Sequence, residues 1–240
     1  MKYSAILLLL VSSQIAFAQD FERDVFDTNS GELAITFIGH GSLMFEFDGK
    51  VIHIDPSSRE ADYNKLPDAD LVLITHHHGD HADPSAYGKI RTKNTTLIQT
   101  RLAQDKLGYG TILKNGESTK YGSIEIEALP AYNLVHKRKN GEFFHPKGSG
   151  NSYVLTIGGK RIFIGGDTEN TPEMKDLKNI NIAFLPMNLP YTMTPEMVAD
   201  AAKAFRPDIL YPYHYGSTDV NELVKLMKDE KGVEVRVRKM

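Results

Sequence analysis

Apolar and polar residues alternate in short runs through the first third of the chain. Leu33–Ile38 and Leu43–Phe47 alternate, and Val51–Ile54 is short and apolar. Gly39, Gly41 and Gly49 fall between them, which predicts a meander of short strands. Leu71-Val72-Leu73-Ile74 is continuous instead, the pattern of a strand covered on both faces. Asp83-Pro84 then predicts a helix start, with a capping carboxylate followed by Pro at the first helical position. Thr100–Leu107 reads as a short helix and Ser123–Leu129 as an alternating strand. Residues 133–151 read as a long loop containing Gly141, Pro146, Gly148, Gly150 and the basic run Lys137-Arg138-Lys139. Tyr153–Ile157 and Arg161–Ile164 flank Gly158-Gly159, a hairpin signal. Thr171-Pro172-Glu173 and Thr194-Pro195-Glu196 each open a helix with a cap, a Pro and an acid. The second of these gathers Val198, Ala201, Ala202 and Phe205 on one face. Ile182–Leu185 and Ile209–Tyr211 are short strands, Leu223 and Leu226 mark a last helix, and Val233–Val237 alternates as a closing strand.

Strands come first, and strands mixed with helices follow. That order predicts an α/β fold of two sheets with helices outside them, an αββα four-layer sandwich. Asp20–Gly31 reads as a polar lead-in, and residues 32–240 as one domain without repeat, low-complexity tract or linker. The first 18 residues read differently: Lys2 precedes an apolar run from Ala5 to Val11, and Ala16-Phe17-Ala18 has the small-x-small form of a cleavage site. This predicts a signal peptide cut between Ala18 and Gln19, and hence a periplasmic or secreted protein. The run is interrupted by Ser12, Ser13 and Gln14 and is short of the roughly 20 residues that span a bilayer, so no stable membrane anchor is expected.

Composition narrows the chemistry. A net charge of -3 over 240 residues excludes generic nucleic-acid binding through a positive surface. The chain has no cysteine, so any metal must sit on His, carboxylate and water. A small-molecule substrate is the expected partner; the sequence carries no signal for an oligomeric state.

The chemical signal is Thr75-His76-His77-His78-Gly79-Asp80-His81, directly after the buried strand. His76 and His78 are two apart and share a side of an extended chain, while Gly79 permits a turn before Asp80 and His81. One pair can then face one ion and the next pair a second. His-x-His-x-Asp-His at this spacing resembles the signature of the metallo-β-lactamase superfamily, and the resemblance runs from about Leu33 to Met240. It implies a structural role for Asp55 in Ile54-Asp55-Pro56, a bridging carboxylate at Asp167 in Gly165-Gly166-Asp167-Thr168, and a last ligand at His214 in Pro212-Tyr213-His214-Tyr215-Gly216. It also implies a third His for the first ion. His145 in Phe144-His145-Pro146-Lys147-Gly148 has the required placement, and His136 is a rival in the same loop.

The resemblance thus implies one divalent ion on His76, His78 and His145, another on Asp80, His81 and His214, and Asp167 between them. Zn suits such donors best, with Mn or Fe permitted. A metal-bound hydroxide would then hydrolyse an ester, lactone or phosphodiester, with Asp80 as ligand or as the group that orients the water. A phospholipase or phosphodiesterase of the same superfamily and a non-catalytic metal-binding protein are the alternatives. Within the superfamily, the motifs look most like the branch of L-ascorbate-6-phosphate lactonase. His40, in Gly39-His40-Gly41-Ser42, and Asn133, Asn188 and Tyr191 are candidate substrate contacts; Lys137, Arg138, Lys139 and Lys147 are candidate anion contacts or solvated charges; His53 and His77 read as structural or second-layer groups.

Overall fold

A computed structural model describes residues 20–240; the export signal and its cleavage point lie outside the described residues. The first half of the chain contains β1 (Arg23–Thr28), β2 (Gly31–Gly39), β3 (Ser42–Phe47), β4 (Lys50–Ile54), β5 (Leu71–Leu73), α1 (Pro84–Ile90), β6 (Thr96–Gln99), α2 (Gln104–Leu107) and β7 (Thr111–Ile112). The second half contains β8 (Ser118–Tyr121), β9 (Ile124–Ala131), β10 (Gly150–Ile157), β11 (Lys160–Ile164), α3 (Pro172–Lys175), β12 (Ile182–Pro186), α4 (Pro195–Phe205), β13 (Ile209–Tyr213), α5 (Val220–Met227) and β14 (Glu234–Val235).

Each half builds one seven-stranded sheet in sequence order, β1 to β7 and β8 to β14. The two sheets share a plan. The first four strands pair antiparallel and the last four pair parallel, so β4 and β11 are the equivalent strands where the pairing changes. No repeat is visible in the sequence, because side chains diverge while backbone pairing keeps the plan.

Three apolar clusters define the layers. A central cluster includes Ile35, Phe37, Phe45 and Leu73 from the first sheet and Tyr153, Leu155, Phe184 and Tyr211 from the second. A second lies under α3, α4 and α5 and includes Val198, Ala202 and Phe205, as the helix face predicted. A third lies under α1 and α2 and includes Val72, Ile74 and Ile90. β5 feeds two of them: Leu71 and Leu73 point inward, and Val72 points toward the helices, which is why its sequence does not alternate. The result is the expected αββα sandwich.

Three local expectations are corrected. The polar lead-in contains β1, which pairs with β2 from Arg23↔Thr36 to Thr28↔Gly31. This edge strand is held by backbone bonds and needs little apolar pattern. β8, Ser-Thr-Lys-Tyr, is an edge strand of the same kind, and β6 has only Leu97 and Ile98 as apolar residues. The helix expected over Thr100–Leu107 begins at Gln104, after a turn.

Candidate metal centre

Every predicted ligand except His145, which sits in the loop between β9 and β10, follows the end of a strand. Asp55 follows β4, the His-rich loop follows β5, Asp167 follows β11 and His214 follows β13. These are the carboxyl ends of parallel strands, where open α/β sheets place their sites. Asp55 and Asp167 stand after the two equivalent strands. The backbone is held in unusual states here: His40, Asp55 and His214 have φ of 51°, 46° and 47°, in the left-handed region that non-glycine residues rarely occupy. The His214 N–H donates to the His40 carbonyl at 2.9 Å and ties the sheets together beside the site. Gly41 allows the closest approach: a Cβ there would lie 2.7 Å from His81 Cε1.

The side chains converge as two groups, His76, His78, His145 and Asp167 in one and His40, Asp80, His81 and His214 in the other. In the first, His78 Nδ1 lies 3.1 Å from both His76 Nε2 and His145 Nε2. Asp167 Oδ2 lies 3.2 Å from His145 Nε2 and 3.7 Å from His76 Nε2. The other oxygen, Oδ1, faces the second group, 3.3 Å from both His81 Nε2 and His214 Nε2. Asp80 Oδ2 is 3.2 Å from His40 Nε2, 3.9 Å from His214 Nε2 and 4.0 Å from His81 Nε2. Metal–ligand bonds of about 2.0–2.1 Å separate tetrahedral neighbours by about 3.3–3.4 Å, so the spacings suit cations at the centres of these groups.

Unpaired atoms support the same fit. His81 Nε2, His214 Nε2 and Asp167 Oδ1 are buried without a hydrogen-bond partner. Asp167 Oδ1 lies 3.3 Å from each of the two ring nitrogens yet makes no hydrogen bond to either. Buried polar atoms left this way are destabilising unless a further partner satisfies them.

Burial, then the neighbouring His81, holds His76 well below the usual histidine range, although Asp167 opposes this. Burial and the neighbouring His145 and His77 lower His78 to about 4. Both imidazoles are therefore neutral at pH 7, the state that ligates metal. Burial opposes ionisation of Asp167, but His214, His81 and His76 outweigh it and hold the carboxyl well below its usual range. Burial lowers His81, and Asp167 and Asp55 more than reverse this. A cation would satisfy the same carboxylates in place of that proton.

Outer contacts aim the rings. Asp55 accepts from the Thr75 N–H at 2.7 Å and the Thr75 hydroxyl at 2.6 Å, and its Oδ2 lies 2.8 Å from His81 Nδ1. A proton on Nδ1 there leaves Nε2 free for the centre. Asn133 Oδ1 accepts from the His145 backbone N–H at 2.7 Å and lies 2.9 Å from His145 Nδ1. Asn133 Nδ2 donates to Glu169 Oε1 and to the Tyr191 carbonyl, each at 2.9 Å. Asn133 is thus corrected from a substrate contact to a support of His145: its amide is buried and engaged at both ends. His136 points its Nδ1 at Glu169 Oε1, 2.7 Å away, and belongs to neither group, so His145 and not His136 joins the first. His40, a candidate substrate contact, stands in the second group and also lines the pocket. His77 is half-buried outside both, and His53 is buried with Nε2 3.1 Å from the Pro67 carbonyl.

Glu169 escaped sequence reasoning. It is fully buried and accepts from the backbone N–H groups of Leu134, Val135 and His136 at 2.6–2.8 Å. A lone acid among polar residues has no spacing that marks it. Beside the two groups lies a pocket of about 470 Å³ whose wall includes Arg59, Arg138, Phe144, Asn188 and Tyr191. Lys147 is instead paired with Glu173 at 2.6 Å.

Two seven-stranded sheets between helices, with paired His/Asp groups at one edge, define the class of the metallo-β-lactamase fold. Residues 34–214 match the family described as the β-lactamase superfamily domain, and the chain belongs to the metallo-β-lactamase superfamily. It is 31% identical over 198 residues to a UPF0173 metal-dependent hydrolase of Methanopyrus kandleri, covering 77% of this chain and 85% of that protein. A protein of Parabacteroides distasonis, provisionally described as a metal-dependent hydrolase, has a crystal structure with TM-score 0.88 and 50% identity, covering 92% of this chain and 100% of that one. A metallo-hydrolase of the archaeon Ignicoccus hospitalis, at TM-score 0.68 and 23% identity over 86% of this chain and 95% of that one, shares the fold.

Proposed function

We propose that this protein is a metal-dependent hydrolase that holds two divalent cations, best suited to zinc, and cleaves an ester, lactone or phosphodiester. One observation carries the reading: the two oxygens of Asp167 face two separate groups of imidazole and carboxylate donors. Divalent cations in such groups supply Lewis acidity and lower the pKa of a water towards about 7, which makes a nucleophile at neutral pH. The chain's own residues do the rest. Asp80 lines the pocket; burial opposes its ionisation, but the neighbouring imidazoles of His214 and His40 hold the carboxyl well below its usual range. It is an ionised acceptor able to orient a water. Asn188 also lines the pocket, and its amide is a candidate donor to a developing oxyanion. Phe144 and Tyr191, ring centroids 5.0 Å apart, cover one side with apolar surface. The reading includes export: a purified secreted chain should begin at Gln19, which intact-mass measurement checks.

The test couples metal content to turnover. Purified protein should carry about two zinc, manganese or iron ions per chain and hydrolyse members of a panel of aryl esters, lactones and bis-aryl phosphates. Chelation should abolish the activity and metal should restore it. Chelator-insensitive turnover, or no bound metal after incubation with each ion, would refute the reading.

A further inference from the structure

We propose that the pocket selects substrates carrying a second oxyanion group, remote from the bond cleaved, which Arg59 and Arg138 hold together. This deepens the hydrolase reading and rests on it for the identity of the reacting end. The two guanidiniums come from different halves of the sandwich: Arg59 from the segment after β4, Arg138 from the long loop between β9 and β10. Both line the same pocket as the two donor groups. Among the described residues the acids lining that pocket are Asp80 and Asp167, and both belong to the donor groups.

Neither arginine is neutralised. Arg23, Arg161, Arg206, Arg236 and Arg238 each pair with a carboxylate. Among the described residues Arg59 makes no ion pair and no side-chain hydrogen bond, although Glu60 is adjacent in the chain. Arg138 donates once, to the Phe144 carbonyl at 3.3 Å, and lies 5.0 Å from the Phe144 ring centroid. That contact steadies the planar head and leaves most of its five donors free. A carboxylate or phosphate takes two parallel N–H donors from one guanidinium, and two guanidiniums can share it. Phe144 and Tyr191, lining the same pocket, offer apolar surface for a hydrocarbon body. Two cations without a carboxylate partner favour an anion over a neutral ligand of the same shape.

The test uses the metal-loaded full chain and unreactive ligands, so that binding is read without turnover. Calorimetry compares the dicarboxylates succinate through suberate with monocarboxylates of the same chain lengths, at low ionic strength. One carboxylate engages the metal centre in both series, and the second reaches the arginines only in the first. At least one dicarboxylate should bind roughly tenfold tighter than its monocarboxylate counterpart, and added salt should shrink the gap. Arg59→Gln with Arg138→Gln should erase the preference, lowering dicarboxylate affinity far more than monocarboxylate affinity; both side chains are exposed, so folding is spared. Equal affinity across every pair, no dicarboxylate binding, or a preference that survives both substitutions would overturn the proposal. Failure of the hydrolase reading shows separately, as absent metal or unaffected turnover on chelation.

Discussion

Asp167 and His53 show two opposite uses of a buried ionisable side chain. Asp167 is stabilised as an anion by three imidazoles and serves both donor groups at once. Asp167→Ala should therefore lower bound metal from about two ions per chain to about one or fewer, measured by atomic emission on dialysed protein; retention of both ions would remove Asp167 from its bridging place. His53 contacts only the Pro67 carbonyl through Nε2, and burial depresses it to about 4 from 6.5. In the unfolded chain it takes up a proton near pH 6.5, but the fold resists protonation until about pH 4. Stability from this residue is therefore full above pH 6.5 and is lost as pH falls towards 4, by roughly 3 kcal/mol in all. His53→Gln should flatten that part of the pH–stability curve in urea unfolding. An unchanged slope between pH 7 and 5 would contradict the assignment.

At the scale of elements, the decisive piece is the loop between β9 and β10. It carries Arg138, Phe144 and His145, and it is pinned by one carboxylate, Glu169, through three backbone N–H groups, His136 and Asn133. Glu169→Gln keeps the size but turns part of the acceptor into a donor facing other donors. The first donor group should then hold metal about 10–100-fold more weakly, while the second is less affected. Titration with cobalt, followed by its visible spectrum, should separate a weakened site from an intact one; equal loss at both would mean general unfolding. The helices are simpler. Thr194 accepts from the Met197 N–H at 3.2 Å and caps α4, so Thr194→Ala should destabilise by about 1 kcal/mol and lower Tm by about 2–4 °C.

At the scale of the whole molecule, two sheets of the same plan pack face to face, and candidate ligands from both converge at one edge of the sandwich. Cations bound to these groups would link the two halves and favour the folded state by mass action. Metal at 100 times its Kd should add about 2.7 kcal/mol per site, so chelation should lower Tm measurably in differential scanning calorimetry. A Tm indifferent to chelator would show that the donor groups hold no metal in solution.

The sequence by itself determined the layer order, the hairpin at Gly158-Gly159, the capped helix starts, and the His-rich loop with Asp55, Asp167 and His214 as candidate site residues. All of these rest on local signals: periodicity, Pro after a capping residue, and a dense His/Asp spacing. Only the tertiary structure decided that His145 rather than His136 joins the first group, that His40 joins the second, that Asn133 supports a ligand instead of touching substrate, and that Glu169 holds the loop. It also revealed the polar edge strands β1 and β8 and the common plan of the two sheets. The physical reason is range. Periodicity and caps act within a few residues, whereas these choices depend on atoms brought within about 3 Å by chain segments tens of residues apart, where burial and hydrogen bonding decide which side chain turns inward.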